Sequence, residues 1–383
     1  MTVALPAPGV RPRDERLGQT SIARKLLIRP EFGALVGAVV VWLLFFSQAR
    51  GTWLSWLGTA NYVEVSARYG LTALAVALLM IGGEFDLSAG VLTGTTGMFA
   101  AIFAVHSGMP VPLAVLLSLA IAAAIGFANG FMVIRSGLPS FIVTLGMFFA
   151  LQGFNLWLTK RVTGVTNVEG IREEPGFEFG RWLFASDLFH LGRAAFKVAI
   201  LWFVVLALVG AFVLTRTRVG NWIFAVGGNK DAARMVGVPA TATKIGLFMA
   251  VSICGWLRGM VYLFDTGRSN VTEGVGVEFY FIIACVLGGC LLSGGLGSVI
   301  GAALGCLILG MTQQGIPLAG WDNNLYYLFL GIILLIAAFS NEAIRRWART
   351  ASKPPPSDVE ASAKEGAQMA AATQAMVREG ELP

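Results

Sequence analysis

Two carboxylates interrupt an otherwise apolar stretch in Ile81-Gly82-Gly83-Glu84-Phe85-Asp86-Leu87-Ser88-Ala89-Gly90. A carboxylate at bilayer depth costs roughly 3 kcal/mol or more, so Glu84 and Asp86, with Ser88 beside them, are expected to face a cavity, a partner or a pathway. Paired glycines also break a helix and expose backbone groups that only protein or water can satisfy. The plain alternative is a short turn near the inner membrane face with solvated acids. A second interruption, Gly288-Gly289-Cys290-Leu291-Leu292-Ser293-Gly294-Gly295, repeats the order of a glycine pair, Leu-Ser and Gly. Interrupted helices at corresponding places in two halves point to a transporter's central site. Close packing of small residues would also account for the second interruption.

Thr144, Gln152, Asn155 and Thr159 lie within about 80° of one another at 100° per residue, giving one helix a polar face. Such a stripe points into a membrane bundle, either bonding neighbouring helices or lining a hydrated route for a hydroxyl-rich solute. Arg258 is a further charge in an apolar run; snorkelling to the outer surface is favoured over a pathway role. In Gly227-Gly228-Asn229-Lys230-Asp231-Ala232-Ala233-Arg234-Met235-Val236-Gly237-Val238-Pro239, Asn229 is a natural N-cap and Gly237 a natural stop. The spacing predicts a short helix over 230–236, suited to docking on a soluble partner or serving as a solvated connector.

Other chemistry is excluded by what is missing. No G-x-x-x-x-G-K-[ST] occurs, so nucleotide phosphates cannot be cradled in the P-loop manner, and ATP-driven work requires another polypeptide. His106 and His190 are the only histidines and cannot build a His-based metal or catalytic cluster, so metal ligands and cofactors of the chain's own are not expected. Cys254, Cys285, Cys290 and Cys306 form no C-x-x-C pair and read as small packing residues.

The elements that must position these residues are membrane helices. Of 383 residues, 56% are hydrophobic and only 13% charged, with 47 glycines and a mean hydropathy of +0.72; soluble domains carry about 25% charged residues. Helices crossing closely over small residues are expected. The net charge of +6 comes from Lys and Arg clustered between apolar runs, which is membrane topology and not a nucleic-acid footprint. Ten candidate spans follow, near 32–49, 69–83, 87–105, 113–134, 137–159, 198–215, 245–264, 279–293, 299–316 and 325–340. The expected fold is an all-α polytopic bundle with broken helices. Its first span is retained, not cleaved. Basic residues in 1–31, in the loop 216–244 and after 340 place both termini in the cytoplasm. The domain reading is a basic N-terminal segment 1–31, a membrane domain 32–345, and a tail 346–383 whose composition predicts disorder.

Four ordered segments carry a resemblance. The Gly-Gly-x-x-Asp-Leu-Ser-x-Gly stretch at 82–90 and Leu138-Pro139-Ser140-Phe141-Ile142-Val143-Thr144-Leu145-Gly146 are similar to segments of the permeases of ABC importers of the ribose and xylose type. So are Ala225-Val226-Gly227-Gly228-Asn229 with Ala232-Ala233-Arg234 and Gly237, and Leu287-Gly288-Gly289 with Ser293-Gly294-Gly295 and Gly297-Ser298-Val299. The resemblance covers roughly residues 35–340. It implies a multi-pass protein of the bacterial inner membrane, working with a second permease copy, a cytoplasmic ABC ATPase that binds the ATP, and a periplasmic or lipid-anchored sugar-binding protein. It also implies that the segment containing Gly227, Gly228, Asn229, Ala232, Arg234 and Gly237 docks on the ATPase. Glu84 and Arg258 depart from the family's pattern and suggest a modified or less usual polyol as solute. The competing reading is an ion-coupled secondary transporter using Glu84 or Asp86 as its proton or cation site; a channel or membrane enzyme is disfavoured by the lack of His and of catalytic motifs.

Overall fold

Helix-forming apolar runs, stopped by glycine or proline, set the architecture of the computed structural model, which describes residues 30–351, with side-chain surroundings from 31 to 340. Most of the expected basic segment 1–31 and most of the tail 346–383 lie outside the described residues. The chain divides into a unit of residues 1–338, which holds the bundle, and a unit of residues 339–383. Apart from a single turn at Arg50–Trp53, the α-helices of the described residues are α1 Pro30–Gln48, α2 Trp56–Ile81, α3 Ala89–Val105, α4 Val111–Ser136, α5 Ser140–Thr163, α6 Phe177–Ala185, α7 Val198–Arg216, α8 Arg218–Gly228, α9 Lys230–Met235, α10 Ala240–Thr266, α11 Val277–Leu287, α12 Val299–Leu318 and α13 Leu325–Ala351. Gly137, Gly164 and Gly267 end α4, α5 and α10 in the left-handed conformation, where glycine carries no Cβ penalty. Pro110 and Pro139 precede α4 and α5.

Among the described residues seven helices are long and apolar enough to cross a membrane, and α3, α11 and the Leu325–Ser340 part of α13 are shorter apolar helices. The ten expected segments are thus all helical, but several bounds move. The expected start at 69 is overturned, because α2 begins at Trp56 and runs through Glu64 and Arg68. The expected span 279–293 ends at Leu287, and α11, at 1.5 Å per residue, is only about 17 Å long, about half the apolar core. α13 remains helical to Ala351, past the boundary expected at 345. The all-α expectation also needs a correction. Between α5 and α7 the chain forms the antiparallel hairpin β2 Asp187–Leu191 with β3 Ala194–Lys197, and β1 Asn167–Val168 pairs with β4 Ser269–Asn270.

The core lies along α2, α10 and α12, whose spans are 78%, 61% and 67% buried, against 22%, 17% and 22% for α1, α5 and α7. These three outer helices present Leu, Val, Phe and Trp outward, as a lipid-facing layer does. α12 packs along α2, and α4 along α10. At the first crossing a Cβ on Gly310 would meet the Tyr62 carbonyl oxygen at 2.5 Å; at the second, one on Gly126 would meet Met249 Cα at 2.7 Å. The charges that α2 carries into the bundle are paired: Arg68 Nη2 lies 2.5 Å from Glu64 Oε1 and 2.6 Å from Asp265 Oδ2, and Lys197 joins Asp265 and Glu64. This network ties α2, α10 and the hairpin together at the end of the bundle away from Ile81.

Replacing Gly310 with Leu is expected to force α12 off α2. Overpacking of this kind costs about 1–3 kcal/mol, so the detergent-solubilised variant should melt lower than the parent. An unchanged melting temperature would contradict the close crossing.

Candidate translocation and coupling site

Where α2 stops, its chain must find partners for backbone groups that no lipid can satisfy. Gly82 N donates to Leu78 O at 3.0 Å, Gly83 N to Met80 O at 2.9 Å and Glu84 N to Leu79 O at 3.1 Å, with Gly83 at φ 81°. Beyond that turn the donors are met by α5: Phe85 N donates to Ser140 Oγ at 3.0 Å and Leu87 N to Thr144 Oγ1 at 3.1 Å. One helical turn spaces the two hydroxyls by about 6 Å, close to the roughly 6.6 Å that separates alternate residues of extended chain. The hydroxyls of the 138–146 segment therefore act as a two-rung holder for the break.

Asp86 is 1% exposed. Its Oδ1 accepts from Ser88 N at 2.8 Å and Ser88 Oγ at 2.6 Å, while Asn129 Nδ2 donates to Ser88 Oγ at 2.8 Å. The carboxylate sits at the start of α3, where the helix dipole favours negative charge. Asn129 on α4 belongs to this cluster and was missed; an amide inside an apolar helix was the available signal. Glu84 pairs with Lys244 in the first turn of α10, both buried. Lys244 was expected in the loop 216–244; the structure places it inside the protein, because Glu84 supplies its countercharge.

The second interruption repeats the first atom for atom. Gly288 N donates to Ala284 O at 2.9 Å, Gly289 N to Val286 O at 3.0 Å and Cys290 N to Cys285 O at 2.9 Å, with Gly289 at φ 83°. The two breaks touch, since Gly295 N donates to Ile81 O at 2.8 Å. The end of α8 closes the junction. A Cβ on Gly294 would lie 2.6 Å from Gly83 Cα and 2.9 Å from Gly227 O, and one on Gly295 would lie 3.0 Å from Gly228 Cα. Gly227 and Gly228, expected in a loop framing the short helix, are instead the last residues of α8.

The short helix itself forms as α9. Asn229 Oδ1 accepts from Asp231 N at 3.1 Å and Ala232 N at 3.0 Å, and Gly237, at φ 84°, ends it. Ala233 is buried, whereas Ala232, Arg234, Met235 and Val236 are exposed, the last two at 82% and 78%. Burial, then the like charges of Lys244 and Arg234, hold the Lys230 amine below the usual lysine range. The exposed Met235 and Val236 extend the expected docking face.

The polar stripe of α5 does face inward: Thr144, Asn155 and Thr159 are buried and Gln152 is half-buried. Asn155 Nδ2 donates to Val271 O at 3.3 Å, and Thr144 serves the break, so both bond neighbouring segments. Arg258 does not snorkel. Its side chain is 12% exposed and turns into the bundle, where Nη1 donates to Thr93 Oγ1 at 3.0 Å and lies 3.6 Å from Glu273 Oε1. Among the described residues no group of three or more His, Cys, Asp or Glu is placed to hold a metal ion.

The family described as the permease component of branched-chain amino acid transport systems matches residues 58–338. This chain belongs to that family. The permease is 28% identical to the xylose transport system permease protein of Escherichia coli K12 over 82% of its own length and 92% of that protein. It is 31% identical to the fructose import permease protein of Rhizobium meliloti, over 72% and 75% of the two chains. With the ribose import permease protein of Escherichia coli K12 it shares 30% identity over 72% and 83%. No solved structure matches the chain. The permease is a multi-pass membrane protein, a transport component and not a catalytic enzyme.

Removing one member of a buried ion pair leaves the other charge uncompensated, at a cost of about 3–5 kcal/mol. Glu84→Gln should therefore destabilise the permease by that order, and Glu84→Leu combined with Lys244→Met should recover most of the loss in a double-mutant cycle of detergent unfolding. Additive losses would show that the pair does not act as a unit.

Proposed function

We propose that the chain is the membrane-spanning subunit of an ATP-binding-cassette importer that carries a monosaccharide or related polyol across the bacterial inner membrane. The observation that carries this reading is the glycine junction, where the end of α8, leading directly into exposed α9, touches both helix breaks. The names of the xylose, fructose and ribose relatives support the solute class.

In this reading both termini and α9 lie in the cytoplasm, and the hairpin end faces outward. A separate ABC ATPase docks on Asn229, Ala232, Arg234 and Gly237, with Met235 and Val236 beside them, and binds all the ATP; the chain has no nucleotide cofactor of its own. A sugar-binding protein delivers solute from outside, and a second permease copy completes the pathway. When the ATPase moves α9, Gly227 and Gly228 pass the displacement to residues 82–88 and 288–298 as a rigid-body shift. Asp86, Ser88 and Thr144 frame the pathway by fixing the first break, Glu84 ties that break to α10, and Gln152 and Asn155 shape the neighbouring wall.

The ion-coupled alternative needs Glu84 or Asp86 as a titrating site. Glu84 is paired with Lys244, and Asp86 accepts two short hydrogen bonds from Ser88, which favours the ATP-driven reading.

Deleting residues 229–236, or making Arg234→Glu or Gly237→Pro, should leave the amount of permease in the membrane unchanged while an ATPase no longer co-purifies from detergent-solubilised membranes and sugar uptake is lost. Uptake by the isolated chain in proteoliposomes, with no ATPase present, would overturn the assignment.

A further inference from the structure

A second cluster of polar and aromatic side chains lies in the bundle, beyond the breaks. Arg258 is eight residues before the Thr266 end of α10, about 12 Å along the helix axis. Its guanidinium carbon is 5.8 Å from the centre of the Phe281 ring on α11. Only Nη1 is engaged, by Thr93 on α3 and by Glu273 at a separation too long for a closed bidentate pair. Nε is buried without a partner. A guanidinium has five N–H donors, and leaving one unmet in a desolvated site is unfavourable. A merely structural charge would be expected to close its pair.

The same region carries neutral groups suited to a sugar ring. Tyr69 Oη, on α2, donates to Gln313 Oε1 on α12 at 2.9 Å. The Tyr69 ring lies 5.5 Å from Tyr280 on α11, and Tyr280 lies 5.9 Å from Tyr326 at the start of α13. Tyr280 is the chain neighbour of Phe281, the ring against which the Arg258 guanidinium lies. Gln313, Tyr280 and Tyr326 are all partly exposed although they belong to the helical bundle. Binding sites combine aromatic walls with a few convergent polar groups in this manner.

We propose that Arg258 and Glu273, with the Tyr69, Tyr280 and Gln313 side chains beside them, form the solute-contacting site of the permease, specific for a neutral, hydroxyl-rich solute. The proposal rests on the monosaccharide-importer reading above and deepens it. Sugar hydroxyls accept from the free guanidinium donors and donate to the Glu273 carboxylate, while the C–H face of the ring lies on tyrosine. A zwitterionic amino acid fits less well, since Arg258 and Glu273 already neutralise each other. The site is distinct from the first break, whose polar groups are engaged with one another.

The test uses the tagged chain in its native host, with uptake of radiolabelled D-xylose, D-ribose, D-fructose and L-leucine, and solute-stimulated ATP hydrolysis of the co-purified assembly supplemented with periplasmic extract. Arg258→Gln, Glu273→Gln and Tyr280→Leu should each lower sugar uptake by about tenfold, the loss of one good hydrogen bond or stacking contact. Membrane level and co-purification of the ATPase should be retained while solute-stimulated ATP hydrolysis falls with uptake. A variant that loses its membrane level or its ATPase has lost structure and not a solute contact, which overturns the proposal. Wild-type sugar uptake in both Arg258→Gln and Tyr280→Leu overturns it as well, as would L-leucine being the solute carried. If the wild-type assembly carries none of the sugars, the importer reading itself falls, and the site assignment with it.

Discussion

Within a bilayer every backbone N–H and C=O must be met by protein, and a helix that stops inside the bundle violates this unless something is built to receive it. The rest of this structure follows from how the two stops are met. At the first, a glycine in the left-handed region folds three donors back onto α2, and two hydroxyls of α5 take the next two. At the second, the same turn recurs and its following loop donates to the end of α2. Each break is thus held by a different part of the bundle, and they hold each other.

Charge obeys the same rule. Most of the cations of the membrane part sit in partnered sets, Glu84 with Lys244, Arg68 with Glu64 and Asp265, Lys197 with Asp265 and Glu64, Arg258 with Glu273, while the buried Asp86 and Glu278 carboxylates are met by hydrogen bonds. All four sets join α10 to another element, so this helix fixes the others in place. The desolvation each ion suffers is offset only inside the assembled bundle, which makes these pairs a check on correct assembly.

Local signals were legible in the sequence. Glycine pairs beside Leu-Ser marked both breaks, the Asn229 cap and Gly237 stop marked α9, and the polar stripe on α5 marked its inward face. Signals that depend on a distant partner were not. Glu64 and Arg68 look like a helix boundary until Lys197 and Asp265 are known to meet them, and Lys244 looks like a loop residue until Glu84 is seen against it. Arg258 looked free to reach the surface because Glu273 lies beyond the end of its own helix. Asn129, the amide that completes the Asp86 cluster, carries no motif at all. The glycines at 227, 228, 294 and 295 read in the sequence as the frame of a short helix and as a second interruption, and in the structure they permit backbone to lie on backbone across the junction.

That last contact has a consequence for how such permeases diversify. In the proposed coupling scheme the transmission point contains almost no side chains, so little about it would encode the identity of the cargo. The rings and charges proposed to meet the solute stand on other stretches of α2, α10, α11 and α12. Selectivity can then drift while the drive stays fixed, much as a tool head is exchanged on an unchanged shaft, and one backbone mechanism can serve chemically different cargoes.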